Sequence, residues 1–259
     1  MAAEPSVLVT RPAGQADALC AELAAAGFRP VTRPMLELLP LEEPDSASRQ
    51  CLLHLDGFGH VIFISANAVR FGLDWIDGYW PQLPVGLHWY AIGERTAAML
   101  SARGLAPLTP GDNMTSEGLL GLPSLQSAQG ERVLIVRGVG GRETLRQALE
   151  SRGAHVDSLV CYQRRPVQLA PGALAAELEH EAVGLALLSS GEGLAQFTAL
   201  LPPGETTKLR ELTLVVPSHR VAEHAHALGW QRVLVADNAT DEAMVEAARA
   251  WYAAKGNSE

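Results

Sequence analysis

Six short stretches of the sequence combine small polar or cationic residues with the start of a predicted helix. Each follows a short apolar run typical of a buried strand. They are Thr10–Arg11 and residues 65–67, 93–96, 137–142, 189–191 and 218–220. Where parallel strands end, unpaired backbone N–H groups and helix dipoles favour anions. Serine, threonine and asparagine also cap helices without a ligand, but the recurrence of such turns predicts one anion-binding cleft between two domains.

Tyr162 lies beside Arg164 and Arg165 in an extended segment, Cys161–Val167, which has the character of a crossing between domains. Its phenol could donate a hydrogen bond or a proton to a leaving group. A tyrosine that packs between domains would have the same sequence signature. The residues alone leave both interpretations open.

Several other chemistries lack their motifs. Gly138 and Gly140 fill the first two positions of GxGxxG, but Glu143 takes the third, which disfavours nicotinamide binding. The sequence has neither a Walker motif nor GxSxG, so a Walker-type nucleoside triphosphatase and a nucleophile elbow are not expected. His224 and His226 would point to different sides of one helix, and no metal site is predicted.

The chain has 259 residues with 20 basic and 29 acidic side chains, a net charge of −9. Such a chain is a poor binder of nucleic acid and anionic membranes, and we expect neither as a partner. Arginine supplies 18 of the basic residues, which suits a polycarboxylate ligand or reflects GC-rich codons. Three widely spaced cysteines, no bilayer-length apolar run and no signal-peptide pattern predict a cytoplasmic protein with reduced thiols.

An internal repeat organises the chain. Its matching blocks are 7–11 with 133–137, 60–65 with 184–189, and 112–117 with 237–242, at offsets of 126, 124 and 125. Apolar runs alternate with helical patterns, which predicts an α/β fold with doubly wound, mostly parallel sheets. The predicted strands are 7–10, 61–64, 89–92, 185–188, 212–216 and 233–235, and the predicted helices include 67–76, 94–103, 192–201 and 220–228. Gly27 is expected to end the first helix, and Leu122–Glu131 is expected to be a loop that joins the halves.

A set of motifs in order along the chain resembles the uroporphyrinogen-III synthase family. They are VLVTRP at the start, FISANAV (63–69), AIGERTAAML (91–100), VRGVGGRETL (136–145), the segment around Tyr162, and LLSSGEGL (187–194). The resemblance implies two flavodoxin-like domains joined by a two-stranded connector. Domain one would comprise residues 1–36 and 166–259, domain two residues 41–160, and the connector about 34–40 and 161–167. Each domain would then mix pieces of both repeat halves.

The resemblance also implies an activity. The family closes linear hydroxymethylbilane to uroporphyrinogen III, inverting ring D and losing water, and uses no cofactor or metal. The substrate carries carboxylates that helix N-termini and backbone N–H groups can bind. We expect a monomer that receives hydroxymethylbilane by handover from hydroxymethylbilane synthase.

Residue by residue, Tyr162 matches the family's characteristic tyrosine, a candidate donor to the departing hydroxyl, and Thr96 matches a family threonine. The expected substrate-binding residues are Arg11, Ser65, Asn67, Thr96, Arg137, Gly138, Gly141, Arg142, Ser189, Ser190, Gly191 and Ser218. Val221 stands where some members have a threonine, and Ser218 would substitute as cap and donor.

Two alternatives remain from the sequence. A two-domain sensor on the same fold would bind a tetrapyrrole or another small polyanion without turnover. A periplasmic-type binding protein would need a signal peptide, and the expected absence of one argues against it.

Overall fold

The computed structural model describes residues 4–111, 113–140, 143–201, 209 and 212–256. The chain divides into two compact units. The first comprises residues 1–38 and 165–259, and the second comprises residues 39–164. Each unit has its own sheet, in which parallel pairing dominates, and its own apolar core.

The described residues form ten strands and eleven α-helices. In chain order the strands are β1 (Ser6–Val9), β2 (Arg29–Thr32), β3 (Leu36–Pro40), β4 (His60–Phe63), β5 (His88–Ala91), β6 (Arg132–Gly138), β7 (His155–Pro166), β8 (Val183–Leu187), β9 (Thr213–Val216) and β10 (Val233–Val235). The helices are α1 (Asp17–Ala25), α2 (Ser46–Leu53), α3 (Ala66–Tyr79), α4 (Glu94–Ala102), α5 (Ser116–Leu120), α6 (Pro123–Gln126), α7 (Thr144–Ser151), α8 (Ala173–His180), α9 (Gly191–Ala199), α10 (His219–Ala227) and α11 (Asp241–Gly256).

The first unit contains a sheet ordered β10-β9-β8-β1-β2, in which every neighbouring pair is parallel. Its central strands are apolar on both faces, as expected where helices cover both sides of a parallel sheet. Leu8 and Leu214 belong to the core on the face covered by α8, α9 and α10. Val7 and Val215 belong to the core on the opposite face, covered by α1 and α11.

The second unit contains a sheet ordered β3-β7-β6-β4-β5, in which the β7-β6-β4-β5 pairs are parallel. The β3 edge strand runs antiparallel to β7. The N–H of Leu41 donates to the carbonyl of Cys161 over 3.1 Å, and the N–H of Val167 donates to the carbonyl of Met35 over 3.0 Å. The chain passes from one unit to the other within these same two strands.

The predicted strands and helices lie within a few residues of those observed. Gly27 ends α1 with a φ of 84°, and its repeat partner Gly153 ends α7 with a φ of 82°. The expectation of a plain loop over Leu122–Glu131 is wrong for its first part, because Pro123 opens the short helix α6 and fits the first helical position. In the described part of the chain, none of the helices has the length and apolar character that a membrane crossing requires.

Candidate active-site residues

Tyr162 lies inside β7, opposite Gly138 of β6, where the strand register shifts. Its side chain is buried, with the whole residue 2 % exposed. The ring packs against Phe71, with 5.6 Å between ring centroids. A Cβ on Gly138 would stand 2.6 Å from two atoms of the ring. The phenol therefore lies in a close-fitting pocket that requires glycine at position 138.

The hydroxyl of Tyr162 has a defined partner at the end of β4. Its oxygen lies 3.1 Å from Oγ of Ser65. Ser65 is also the N-cap of α3, where its Oγ accepts a hydrogen bond from the N–H of Ala68 over 3.1 Å. One serine thus fixes the start of a helix and the position of the phenol.

A cavity of about 470 Å³ opens in the second unit near the ends of β4, β5 and β6. Its apolar wall includes isoleucines from the sheet, and its charged wall includes three arginines. The lining residues are Ile64, Ile92, Met114, Thr115, Ser116, Glu117, Ile135, Arg137, Leu145, Arg146 and Arg164. This combination suits a ligand with an apolar body and anionic arms.

Two of the cavity arginines share one carboxylate. Arg137 Nη1 lies 2.8 Å from Glu143 Oε1, and Arg146 Nε lies 3.5 Å from Glu143 Oε2. Arg137 also donates to the carbonyl of Gly140. Its side chain is only 7 % exposed, and a buried cation requires such a partner.

Arg146 is held by β7 as well. Its guanidinium donates to the carbonyl of Val156 over 2.6 Å and to Oγ of Ser158 over 2.8 Å. These contacts fix the side chain at the cavity before any ligand arrives.

The first unit places small polar residues at the corresponding strand ends. Ser190 is the N-cap of α9, and its Oγ accepts from the N–H of Gly193 over 3.0 Å. Arg11 donates to Oγ of Ser189 over 3.1 Å and forms an ion pair with Asp241. Arg11 is therefore part of a network that joins the ends of β1 and β8 to the start of α11.

The buried cysteines of the second unit are unsuited to nucleophilic chemistry. Burial raises the pKa of the Cys161 thiol to about 12 and that of Cys51 to about 11. Both thiols therefore stay protonated near neutral pH. Across the described ranges, no three His, Cys, Asp or Glu residues come together as a group that could hold a metal ion.

Comparison with known proteins decides the family. The sequence model of the protein family described as "Uroporphyrinogen-III synthase HemD" matches residues 17–246. The uroporphyrinogen-III synthase of Escherichia coli K12 is 36 % identical over 249 residues, covering 93 % of this chain and 99 % of that protein. The synthase of Salmonella typhimurium LT2 is 36 % identical over 245 residues, with coverage of 93 % and 99 %. The chain belongs to the uroporphyrinogen-III synthase family.

Solved structures of uroporphyrinogen-III synthases support the same fold. The Helicobacter pylori enzyme aligns with a TM-score of 0.61 at 16 % identity, covering 95 % of this chain and 99 % of that one. A mutant Thermus thermophilus enzyme aligns with a TM-score of 0.58 at 19 % identity, with coverage of 98 % and 99 %. The resemblance to this family stated from the sequence is confirmed, and the chain is an enzyme of porphyrin and haem biosynthesis in a lyase family.

The structure brings only some of the expected synthase-family site residues together. In the second unit, Ser65 and Gly138 each contact Tyr162, whereas Arg137 lines the cavity, whose lining includes none of these three residues. Asn67 lies in the first turn of α3, and Thr96 is buried in the first turn of α4. The other expected residues of the described chain are Arg11, Ser189, Ser190, Gly191 and Ser218, all in the first unit. Gly141 and Arg142 lie outside the described residues.

Sequence reasoning missed Arg146 and the 114–117 segment as candidate site residues of this synthase-family chain, and it noted Arg164 only as a neighbour of Tyr162. Arg146 immediately follows Leu145, which is buried in the core. An arginine near the start of a helix, where the dipole disfavours cations, is a signal that could have pointed to it.

Proposed function

We propose that this chain closes hydroxymethylbilane to uroporphyrinogen III, with inversion of ring D and loss of one water. The observation that carries the proposal is the match to uroporphyrinogen-III synthases over 93 % of the chain. The cavity with its arginine wall supports it, because the substrate of this reaction bears carboxylates on apolar pyrrole rings.

We infer that Tyr162 assists departure of the hydroxyl group. Ser65 Oγ already accepts from the N–H of Ala68, so its own hydrogen can be donated to the phenol oxygen. The hydrogen of Tyr162 is then available to the leaving oxygen. Donors aligned in such a chain polarise one another. The C–O bond breaks, the pyrrole nitrogen supplies the electron pair, and the oxygen leaves as water.

The rest of the reaction depends on orientation. Ring D must be held so that its substituted carbon attacks the cationic carbon, giving a spiro intermediate that fragments and closes again. Correct positioning of the reacting carbons lowers the activation barrier, by roughly 7–11 kcal/mol in favourable cases. We propose that the residues expected to bind substrate, with Tyr162 as the candidate catalytic residue, serve this positioning.

We further propose that both units are flavodoxin-like and derive from the internal repeat. The five strands of the first unit, numbered 1 to 5 in chain order, are β1, β2, β8, β9 and β10. Across the sheet they have the order 2-1-3-4-5, which is the flavodoxin order. In the sequence repeat, β6 is equivalent to β1, β7 to β2, β4 to β8 and β5 to β9. Under that pairing, β7-β6-β4-β5 of the second unit repeats β2-β1-β8-β9 of the first.

We also propose the domain bounds and the connector that the resemblance implies, and β3 and β7 support them. Domain one comprises residues 1–36 with 166–259, domain two residues 41–160, and the connector residues 34–40 and 161–167. The cytoplasmic location, the monomeric state and handover of the bilane by hydroxymethylbilane synthase also stay predictions.

The test of the proposed function is the identity of the cyclic product. Hydroxymethylbilane generated in the assay and mixed with the purified protein should yield isomer III faster than the spontaneous closure yields isomer I. Binding of a tetrapyrrole without turnover would instead support the sensor alternative.

A further inference from the structure

The cavity of the second unit already has a carboxylate at its arginine wall, and that carboxylate belongs to the protein. Glu143 spans Arg137 and Arg146 with one oxygen toward each. Both arginines line the cavity, so Glu143 occupies guanidinium groups to which a carboxylate in the cavity would also bind.

We propose that Glu143 is an internal competitor of the substrate, and that a carboxylate arm of the bilane takes its place on Arg137 and Arg146. This inference rests on the proposed function and names the residues at which one arm of that substrate would be bound. Glu143 would determine how tightly the site holds substrate, without taking part in the chemistry.

The arginine pair is built to stay in place while its partner changes. Arg146 keeps its bonds to Val156 and Ser158 of β7, and Arg137 keeps its bond to the carbonyl of Gly140. Each guanidinium is therefore anchored independently of Glu143. Planar guanidinium groups fixed in this way bind an incoming carboxylate with little loss of conformational entropy.

Glu143, by contrast, can leave at small cost. Its side chain is 48 % exposed, so its carboxylate can return to water. Water solvates the released carboxylate, which offsets part of the lost attraction to the arginines. Removal of the Glu143 contact without replacement would, however, leave Arg137 as an uncompensated buried cation. An arriving carboxylate supplies that compensation, so the exchange is nearly balanced.

The apolar side of the cavity indicates what accompanies the carboxylate. Ile64, Ile92, Ile135 and Leu145 form a wall opposite in character to the arginines. A pyrrole ring with carboxylate arms presents both kinds of surface. A simple inorganic anion would use only the arginine wall.

The chain offers a matched pair of variants. Glu143→Gln removes the competing charge and keeps the shape of the side chain. Glu150→Gln removes an equally exposed carboxylate, 46 % against 48 %, that also pairs with Arg146 but is not paired with Arg137. The two variants change net charge identically and differ in whether the lost carboxylate bridges the arginine pair.

The experiment measures KM and kcat for hydroxymethylbilane with wild type and both variants, together with the melting temperature of each. If Glu143 competes, Glu143→Gln lowers KM by roughly threefold to fivefold with kcat nearly unchanged, the size expected from one partly exposed ion pair. Glu150→Gln leaves KM near the wild-type value. An unchanged or raised KM in Glu143→Gln, or equal decreases in both variants, would overturn the proposal.

Failure of the proposed function is a separate outcome. Formation of isomer III by the wild type tests the function before any variant is compared. The binding of uroporphyrin, monitored through tryptophan fluorescence, tests without turnover whether Glu143 competes with a ligand carboxylate. Tighter binding to Glu143→Gln alone supports it, and equal or weaker binding contradicts it.

Discussion

Tyr162 has two relationships that the sequence could not distinguish. Its ring packs on Gly138 and Phe71, as expected for a structural tyrosine. Its hydroxyl meets Ser65, as expected for a positioned donor. The sequence predicted Tyr162 and Ser65 separately, because each belongs to a recognisable motif. Their contact spans 97 residues of sequence and depends on strand pairing, which no local pattern encodes.

Tyr162→Phe separates the two relationships, because it keeps the ring and removes the hydroxyl. We expect a fall in kcat of about a hundredfold to ten-thousandfold, the scale of one positioned proton donor, with little change in melting temperature. Steady-state kinetics and thermal unfolding measure both. A variant with wild-type kcat would show that the hydroxyl is not used.

Tyr90→Phe is the matched control for that variant. The Tyr90 hydroxyl lies 2.8 Å from His60 Nδ1 and donates to Ser124 over 2.9 Å, in the same unit. Its loss should lower stability by about 1–3 kcal/mol, because His60 loses its buried partner. We expect kcat to remain at the wild-type level.

Gly138→Ala tests the close approach between β6 and the phenol. The new methyl would stand 2.6 Å from the Tyr162 ring, so we expect about 1–3 kcal/mol of destabilisation and a loss of activity through displacement of the hydroxyl. Gly78→Ala in α3 is the control, since nothing lies within 4 Å of its Cβ. Equal melting temperatures for Gly138→Ala and wild type would contradict the packing described for Tyr162.

At the scale of elements, the helix starts were the most predictable feature. The small polar residues at the predicted turns do precede helices, and Ser65 and Ser190 cap them with their side chains. Local chemistry is sufficient there, because a cap and its N–H partner are three residues apart. β7 was less predictable. It has 12 residues and pairs with both β3 and β6. The sequence suggested a separate crossing segment here, whereas the structure has one long strand.

Ser190 and Ser218 differ in a way that a pair of variants can expose. Both are N-caps, but in Ser218 the side chain makes no capping hydrogen bond. Ser190→Ala should therefore cost about 1 kcal/mol of stability, and Ser190→Asn should restore it. Ser218→Ala should cost less. If Ser218 binds substrate, that variant raises KM while its thermal unfolding curve stays close to that of wild type. Equal stability losses in both alanine variants would contradict this account of the two caps.

At the scale of the whole molecule, the repeat predicted the number of units but not their composition. The repeated blocks lie end to end in the sequence, whereas each sheet combines strands from both halves. Only the resemblance to a known family predicted that each domain would combine pieces of both halves. Periodicity and propensity alone do not, because they describe neighbours along the chain and not partners across a sheet.

The stability of the second unit should depend on pH through His60. Burial, the largest cause, lowers the pKa of His60 from its ordinary 6.5; nearby His88 also lowers it, and Glu131 opposes the shift. The unfolded chain therefore binds a proton at a higher pH than the folded one, so stability is fully present above about 6.5 and falls as pH drops below that value. Melting temperatures between pH 7.5 and 5 should show this decline. His60→Gln should weaken it relative to a variant of the exposed His155, and an undiminished decline would assign it to other groups.

The central claim is that this chain makes uroporphyrinogen III. The most direct measurement adds the purified protein to freshly generated hydroxymethylbilane, oxidises the product and separates the uroporphyrin isomers by chromatography. We predict predominant isomer III, formed at a rate proportional to protein concentration. Isomer I, formed at the spontaneous rate whatever the protein concentration, would contradict the claim.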